Sequence, residues 1–143
     1  MRRIFLILTA GLSAAVLAAP LPYDESADAK ADVQHALVAA KSSHMPALIV
    51  FGANWCEDCR ALDHAGSFII VKVDVGNFDR NLDVVAAYGS PIKKGIPAAV
   101  VVSVDNKVLY ATKAGELADA RRMSETGIYE FFRRISQGVA SGK

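Results

Sequence analysis

The apolar run Ala47-Leu48-Ile49-Val50-Phe51, leading directly into Trp55-Cys56-Glu57-Asp58-Cys59, constrains this chain more than any other feature. Successive apolar residues without polar alternation suit a strand covered on both faces, as at the centre of a layered α/β sheet. The only two cysteines of the chain follow with two residues between them, a spacing that puts both sulfurs on one turn of a helix. A strand that delivers Cys56 to a helix N-terminus places its sulfur among unpaired backbone N–H groups and partial positive charge, both of which favour a thiolate. The thiolate is the nucleophile in disulfide exchange. Cys56 is therefore the candidate attacker, and Cys59, one turn further in, the candidate resolving thiol.

The chain has 143 residues, 52% of them hydrophobic, enough for one domain with its own core. Arg2-Arg3 precede an uncharged apolar stretch from Ile4 to Ala19, short for a bilayer span and followed by Pro20. It reads as a secretory signal peptide over residues 1–18, cut after Ala18, with the remainder, residues 19–143, as the folded unit. The strongly apolar core favours the ordinary export route over the twin-arginine one, and no cysteine follows the stretch to carry a lipid. The expected location is the periplasm, with no stable membrane anchor after processing. Loss of Arg2 and Arg3 takes the formal charge from +1 to −1, which leaves no general electrostatic grip on nucleic acid. Outside the cytosol a thiol pair could be a structural bridge, but a CxxC closes so small a loop that it removes little chain entropy.

Apolar positions Ala29, Val33, Ala36, Leu37 and Ala40 recur at helical spacing within Ser26 to Ser43. A strand is expected over Ala47 to Gly52, then the CxxC helix, then a β-branched strand from Phe68 to Val75. Leu82, Val85 and Ala86, ended by Tyr88-Gly89, predict another helix. Ala98 to Val104 and Lys107 to Thr112 flank Asp105-Asn106 as an antiparallel hairpin with a two-residue turn. The last helix is expected from Ser124 to Gln137, with Ile128, Phe131, Phe132 and Ile135 on its apolar face and Arg133 and Arg134 near its C-terminal end.

This order, with Gly95-Ile96-Pro97 immediately before the hairpin, resembles the thioredoxin family over Ser26 to Gln137. The residues that carry the resemblance are Trp55-Cys56-x-x-Cys59 at a strand-to-helix junction, Tyr88-Gly89, Gly95-Ile96-Pro97, and Ala111-Thr112-Lys113-Ala114-Gly115-Glu116-Leu117 after the hairpin. The resemblance implies an α/β fold with a central mixed β-sheet flanked by helices. It also implies a cis peptide bond before Pro97, Trp55 beside the active-site mouth, and an Ile96 backbone that pairs with an extended substrate segment.

The departures from the family pattern bear on chemistry. Val50 stands where the family usually has a buried acid that helps deprotonate the resolving thiol; Lys72 matches a family lysine but has no acid at position 50 to pair with. Glu57 or Asp58 is the candidate replacement proton acceptor, against a simpler role as favourable acids in a first helical turn. Only Ala53 to Ser67 is available for the crossover, close to the minimum for joining parallel strands. A shortened CxxC helix, with its exit at His64-Ala65-Gly66-Ser67 and Gly66 as C-cap, is expected to cover Phe68 to Val73 thinly and to lower stability.

Glu57-Asp58 replaces the usual Gly-Pro, and Asp58 before Cys59 resembles the Cys-Pro-Asp-Cys members of the family. Two carboxylates oppose a thiolate and raise its pKa, which makes the couple more reducing. The expected function is an exported disulfide reductase or isomerase without cofactor, acting on disulfide-containing proteins and fed by a reductase or membrane electron-relay protein. Two other readings stay open. One is a soft-metal site built on the two thiols with His35, His44 or His64 as a third ligand, although none has a compelling ligand spacing. The other is a redox-silent binding module. The charged stretch Gly115 to Ser124 is expected to be a solvated connection rather than a partner-recognition loop.

Overall fold

A computed structural model describes residues 21–62 and 68–140. The expected signal peptide, His64 and the helix exit at Gly66 lie outside the described residues.

The first helix, α1 (Ala29–Ser43), starts where Asp28 accepts a hydrogen bond from the Ala31 N–H, and ends at His44, whose left-handed backbone returns its N–H to Ala40. The expected start at Ser26 is three residues early. Ser26 is held instead in a local turn, donating from both its N–H and its hydroxyl to the Asp24 carboxylate. Short side chains that compete for nearby backbone and side-chain groups favour such turns over helix interiors.

Strand β1 (Ala47–Gly52) is buried at every position, as its unbroken apolar run requires. It pairs in parallel with β2 (Ile69–Asp74) and antiparallel with β3 (Ala98–Val102), which pairs antiparallel with β4 (Val108–Ala111), giving the order β2-β1-β3-β4. The crossover from β1 to β2 carries a single-turn helix, α2 (Glu57–Arg60). α3 (Leu82–Ala87) follows β2, and α4 (Glu125–Ala140) closes the described chain.

One face of the sheet, through Ile49, Phe51, Val71, Val73 and Val100, packs on α1 and α3. The other, through Leu48, Val50, Ala99 and Val101, packs on Leu62, Leu117 and the α4 residues Ile128 and Phe132. Phe132 meets Phe68 and Phe131 edge-on. Each large side chain so buried contributes about 1.5–3 kcal/mol.

Several expectations are corrected. The hairpin turn has three residues rather than two. Ser103 and Lys107 close it, Asn106 N–H donates to Ser103 O, and Asn106 takes a left-handed backbone, the type I turn with a bulge that longer hairpin loops favour. β4 ends one residue early, although Thr112 N–H still donates to Ala99 O. α4 begins after Ser124, whose hydroxyl accepts from Gly127 N–H, and extends past Gln137. Arg133 therefore lies within the helix, where it binds Glu130 and Gln137 rather than complementing a helix end. Thin cover over β2 is confined to Ile70, which is 37% exposed, while Phe68, Val71 and Val73 are buried.

Gly52 is required by a close approach. A Cβ there would lie 2.3 Å from the Tyr23 hydroxyl and 2.9 Å from Cys59 Sγ. Gly52→Ala is expected to cost about 1–3 kcal/mol through overpacking, read from urea unfolding midpoints. Wild-type stability in the variant would mean that Tyr23 yields the space freely.

Candidate functional site

Cys56 and Cys59 are joined by a disulfide whose Cα atoms are 5.3 Å apart. β1 ends at Gly52, and Ala53 to Trp55 carry the chain over the rim of the sheet to Cys56, the N-cap of α2. Because α2 is one turn long, little macrodipole accumulates. The local donor is instead the Cys59 N–H, 3.2 Å from Cys56 Sγ, the kind of contact that stabilises a thiolate when the bridge opens. Cys59 is fully buried and Cys56 is 5% exposed, so the two sulfurs differ in access.

The Ile96–Pro97 peptide bond is cis, and Ile96 O lies 3.7 Å from Cys56 Sγ. Gly95 enters this turn at φ 109°, a backbone region that only glycine occupies without strain. After the hairpin, the Glu116 carboxylate accepts from the Lys113 and Ala114 N–H groups, and a Cβ at Gly115 would lie 3.2 Å from Lys94 O. The segment from Ala111 to Leu117 thus braces the loop before Pro97.

Trp55 is 54% exposed, donates from its indole N–H to Gly76 O at 2.9 Å, and lies 6.3 Å from Phe78 between ring centres. Phe78 has φ 65°, uncommon for a bulky residue. An open groove runs between these rings and Ile96, with Cys56, Glu57, Asp58 and Arg121 along it. Sequence reasoning missed Phe78, and its only signal was an aromatic among turn residues.

The stretch Gly115 to Ser124 is not the solvated connection expected of it. It holds a short 3-10 turn, Ala120–Arg122, whose Arg121 N–H donates to Asp58 Oδ1 at 2.8 Å. The Arg121 guanidinium is 3.5 Å from both Glu57 and Asp58. Asp58 is thereby engaged as an anchor for the turn, while Glu57 is exposed. One cation between two carboxylates offsets part of their repulsion toward a Cys56 thiolate, although half-exposed pairs of this kind contribute only about 0–1 kcal/mol.

Behind the disulfide, residues ahead of α1 form a strap. Asn54, next to Trp55, donates from its amide to Tyr23 O and Glu25 Oε1 and accepts from Tyr23 N–H. Arg80 bridges Glu25 and the buried Asp74 at 3.2 and 3.3 Å. Lys72 stands opposite Val50 in the β1–β2 register, and its ammonium lies 5.5 Å from the Tyr23 ring centre. Val50 is fully buried among apolar side chains. None of the strap contacts was foreseen, since Tyr23 and Asn54 are 31 residues apart.

Among the described residues, no three of His, Cys, Asp and Glu gather as a metal site. His35 lies on α1 and His44 caps it, neither lining the groove. Among the same residues no helix is long and apolar enough to cross a membrane.

A CxxC disulfide at a strand-to-helix junction, facing a cis-proline loop across a groove on a mixed sheet, is the arrangement of a thiol-disulfide oxidoreductase-like fold. The chain belongs to the thioredoxin family: it is 57% identical to a solved structure described as a disulphide isomerase from Xylella fastidiosa Temecula1, covering 83% of this chain and 99% of that one, with a TM-score of 0.79. A second solved structure, described as DsbH oxidoreductase, shares the fold at 16% identity and a TM-score of 0.50, over 91% of this chain and 92% of that one. No protein-family model matches the chain, and no curated protein matches it.

The Glu25 carboxyl is held below its ordinary value of 4.5, first by the Asn54 amide and then by Arg80. A carboxyl made more acidic by folding adds stability that is complete above its unfolded value and is lost as pH falls through the lower folded one. Between about pH 5 and pH 3, the urea midpoint of the wild type is therefore expected to fall more than that of Glu25→Gln. Parallel curves would show that the strap is closed by Tyr23 and Asn54 alone.

Proposed function

We propose that this protein is an exported thiol-disulfide oxidoreductase that reduces or rearranges disulfides in protein substrates through Cys56 and Cys59. The observation that carries the reading is the disulfide between the chain's only two cysteines, with the Cys56 sulfur against Ile96 on the floor of an open groove. The relative described as a disulphide isomerase supports it.

In the reduced protein, the Cys56 thiolate attacks one sulfur of a substrate disulfide. A mixed disulfide forms and the other substrate sulfur leaves as a thiol. Cys59 then attacks Cys56 Sγ, which closes the intramolecular bridge and releases the second substrate thiol. Two electrons have passed to the substrate, and a dithiol donor must return them. Trp55 and the backbone of Ile96 and Pro97 hold the substrate segment in this scheme, with peptide-to-backbone pairing supplying affinity that does not depend on sequence. No cofactor is needed.

The direction follows from charge. Glu57 and Asp58 follow Cys56 directly in the chain, and Arg121 pairs with them at 3.5 Å. The reduced form gains little electrostatic stabilisation, and a couple so built lies on the reducing side of strong disulfide donors. Residues 1–18 act as the signal peptide and the domain works in the periplasm, where a membrane electron-relay protein or a reductase is the fitting donor.

In an insulin-reduction assay driven by dithiothreitol, the protein lacking residues 1–18 is expected to accelerate precipitation of the insulin B chain. Cys56→Ser should fall to the uncatalysed rate, and Cys59→Ser should accumulate a mixed disulfide visible by intact mass. Equal turnover by wild type and Cys56→Ser would overturn the reading.

A further inference from the structure

Cys59 must lose a proton before it can attack, and it is the most buried sulfur among the described residues. A thiol in apolar surroundings resists ionisation, and the buried cluster that holds Cys59 includes Phe51, Ala53 and Ile96, whose side chains offer no donor. The Tyr23 hydroxyl differs from them. The ring is 1% exposed, and its oxygen shares with Cys59 Sγ the space that Gly52 leaves open, 2.3 and 2.9 Å from where a glycine Cβ would stand. Asn54 fixes the Tyr23 backbone from both sides, so the hydroxyl is aimed by the strap. Lys72 brings a cation toward the same ring from β2.

Resting on the thiol-disulfide reading above, we propose that Tyr23 is the hydrogen-bond donor to the Cys59 thiolate during resolution of the mixed disulfide, with Lys72 supporting the negative charge from behind. Cys59 Sγ attacks Cys56 Sγ, the Cys56–Cys59 bond forms, and the bond from Cys56 to the substrate sulfur breaks. The proton that Cys59 gives up ends on the departing substrate thiolate by way of solvent. Tyr23 keeps its own proton throughout and stabilises the anion by donating to it. Among the described residues, the other ionisable groups around Cys59 are Cys56, Glu57, Asp58 and Arg60 on and beside α2, Arg121 from the 3-10 turn, and Asp74 from β2. Asp58 is bound to Arg121 and Asp74 to Arg80, whereas the Tyr23 hydroxyl borders the same space at Gly52 as the sulfur.

The test is a stopped-flow reaction of the reduced protein with 5,5′-dithiobis(2-nitrobenzoate), read as release of thionitrobenzoate across pH. The first phase reports attack by Cys56 and the second attack by Cys59, an assignment checked by loss of the second phase in Cys59→Ser. Tyr23→Phe keeps the ring and its packing. It is expected to raise the pH midpoint of the second phase and to slow that phase roughly tenfold at neutral pH, as removal of a hydrogen bond to a charged group does, with recovery at high pH. Lys72→Met should shift the midpoint in the same direction by less, and it decides the matter if Tyr23→Phe does not fold. An unmoved second-phase midpoint would overturn the assignment of Tyr23. Absence of a second phase in the wild type would instead overturn the thiol-disulfide reading itself.

Discussion

β1 can occupy only one place in this fold, and the site depends on that restriction. Every one of its residues is buried, with alternate side chains committed to two different hydrophobic clusters. A shift of one residue would exchange the two sets. Its end is therefore fixed, and with it the short path from Gly52 through Asn54 to Cys56. The antiparallel pairing with β3 brings Phe51 opposite Ala98, so the chain just before β3, Ile96 and Pro97, arrives beside Cys56. No long-range contact between the cysteine turn and the proline turn is needed to bring them together, because the sheet register does so.

Two loops then act on the cysteine turn from opposite sides. The strap ahead of α1 closes over Gly52 and carries Tyr23 behind Cys59. The 3-10 turn before α4 reaches forward and holds Asp58 through its backbone. A one-turn helix has little cooperativity of its own, and here it is held by side-chain and backbone contacts from both loops, with Arg60 also donating to Asn54 O at 2.8 Å. Tertiary ties thus hold the cysteine turn in place, and among the residues of β2 only Ile70 is exposed.

What the sequence made legible was local. The apolar run of β1, the period of α1, the β-branched β2 and the cysteine spacing each announce themselves within a few residues, and the order of elements with Gly95-Ile96-Pro97 led to the family. The three-residue hairpin turn was misread because Asp105-Asn106 satisfies a two-residue turn equally well until Val104 is seen to leave the ladder. The electrostatics of the site were legible only in half. Glu57 and Asp58 are visible beside the cysteines, whereas Arg121 is 63 residues from Asp58 and belongs to a stretch whose charges looked like solvated surface. Tyr23 had no periodic or motif signal at all. Its position follows from Asn54 and Gly52, small and polar residues whose meaning appears only when the chain is folded.

The proposed reductase role requires that the Cys56–Cys59 couple, with Glu57 and Asp58 directly after Cys56 in the chain, give electrons rather than take them. The deciding measurement is equilibration of the protein lacking residues 1–18 against glutathione and dithiothreitol buffers, with the Cys56–Cys59 state read by alkylation and mass. A reductase is expected to show a potential near that of thioredoxin, about −270 mV, whereas a value near −120 mV, that of a strong disulfide donor, would refute the reducing role.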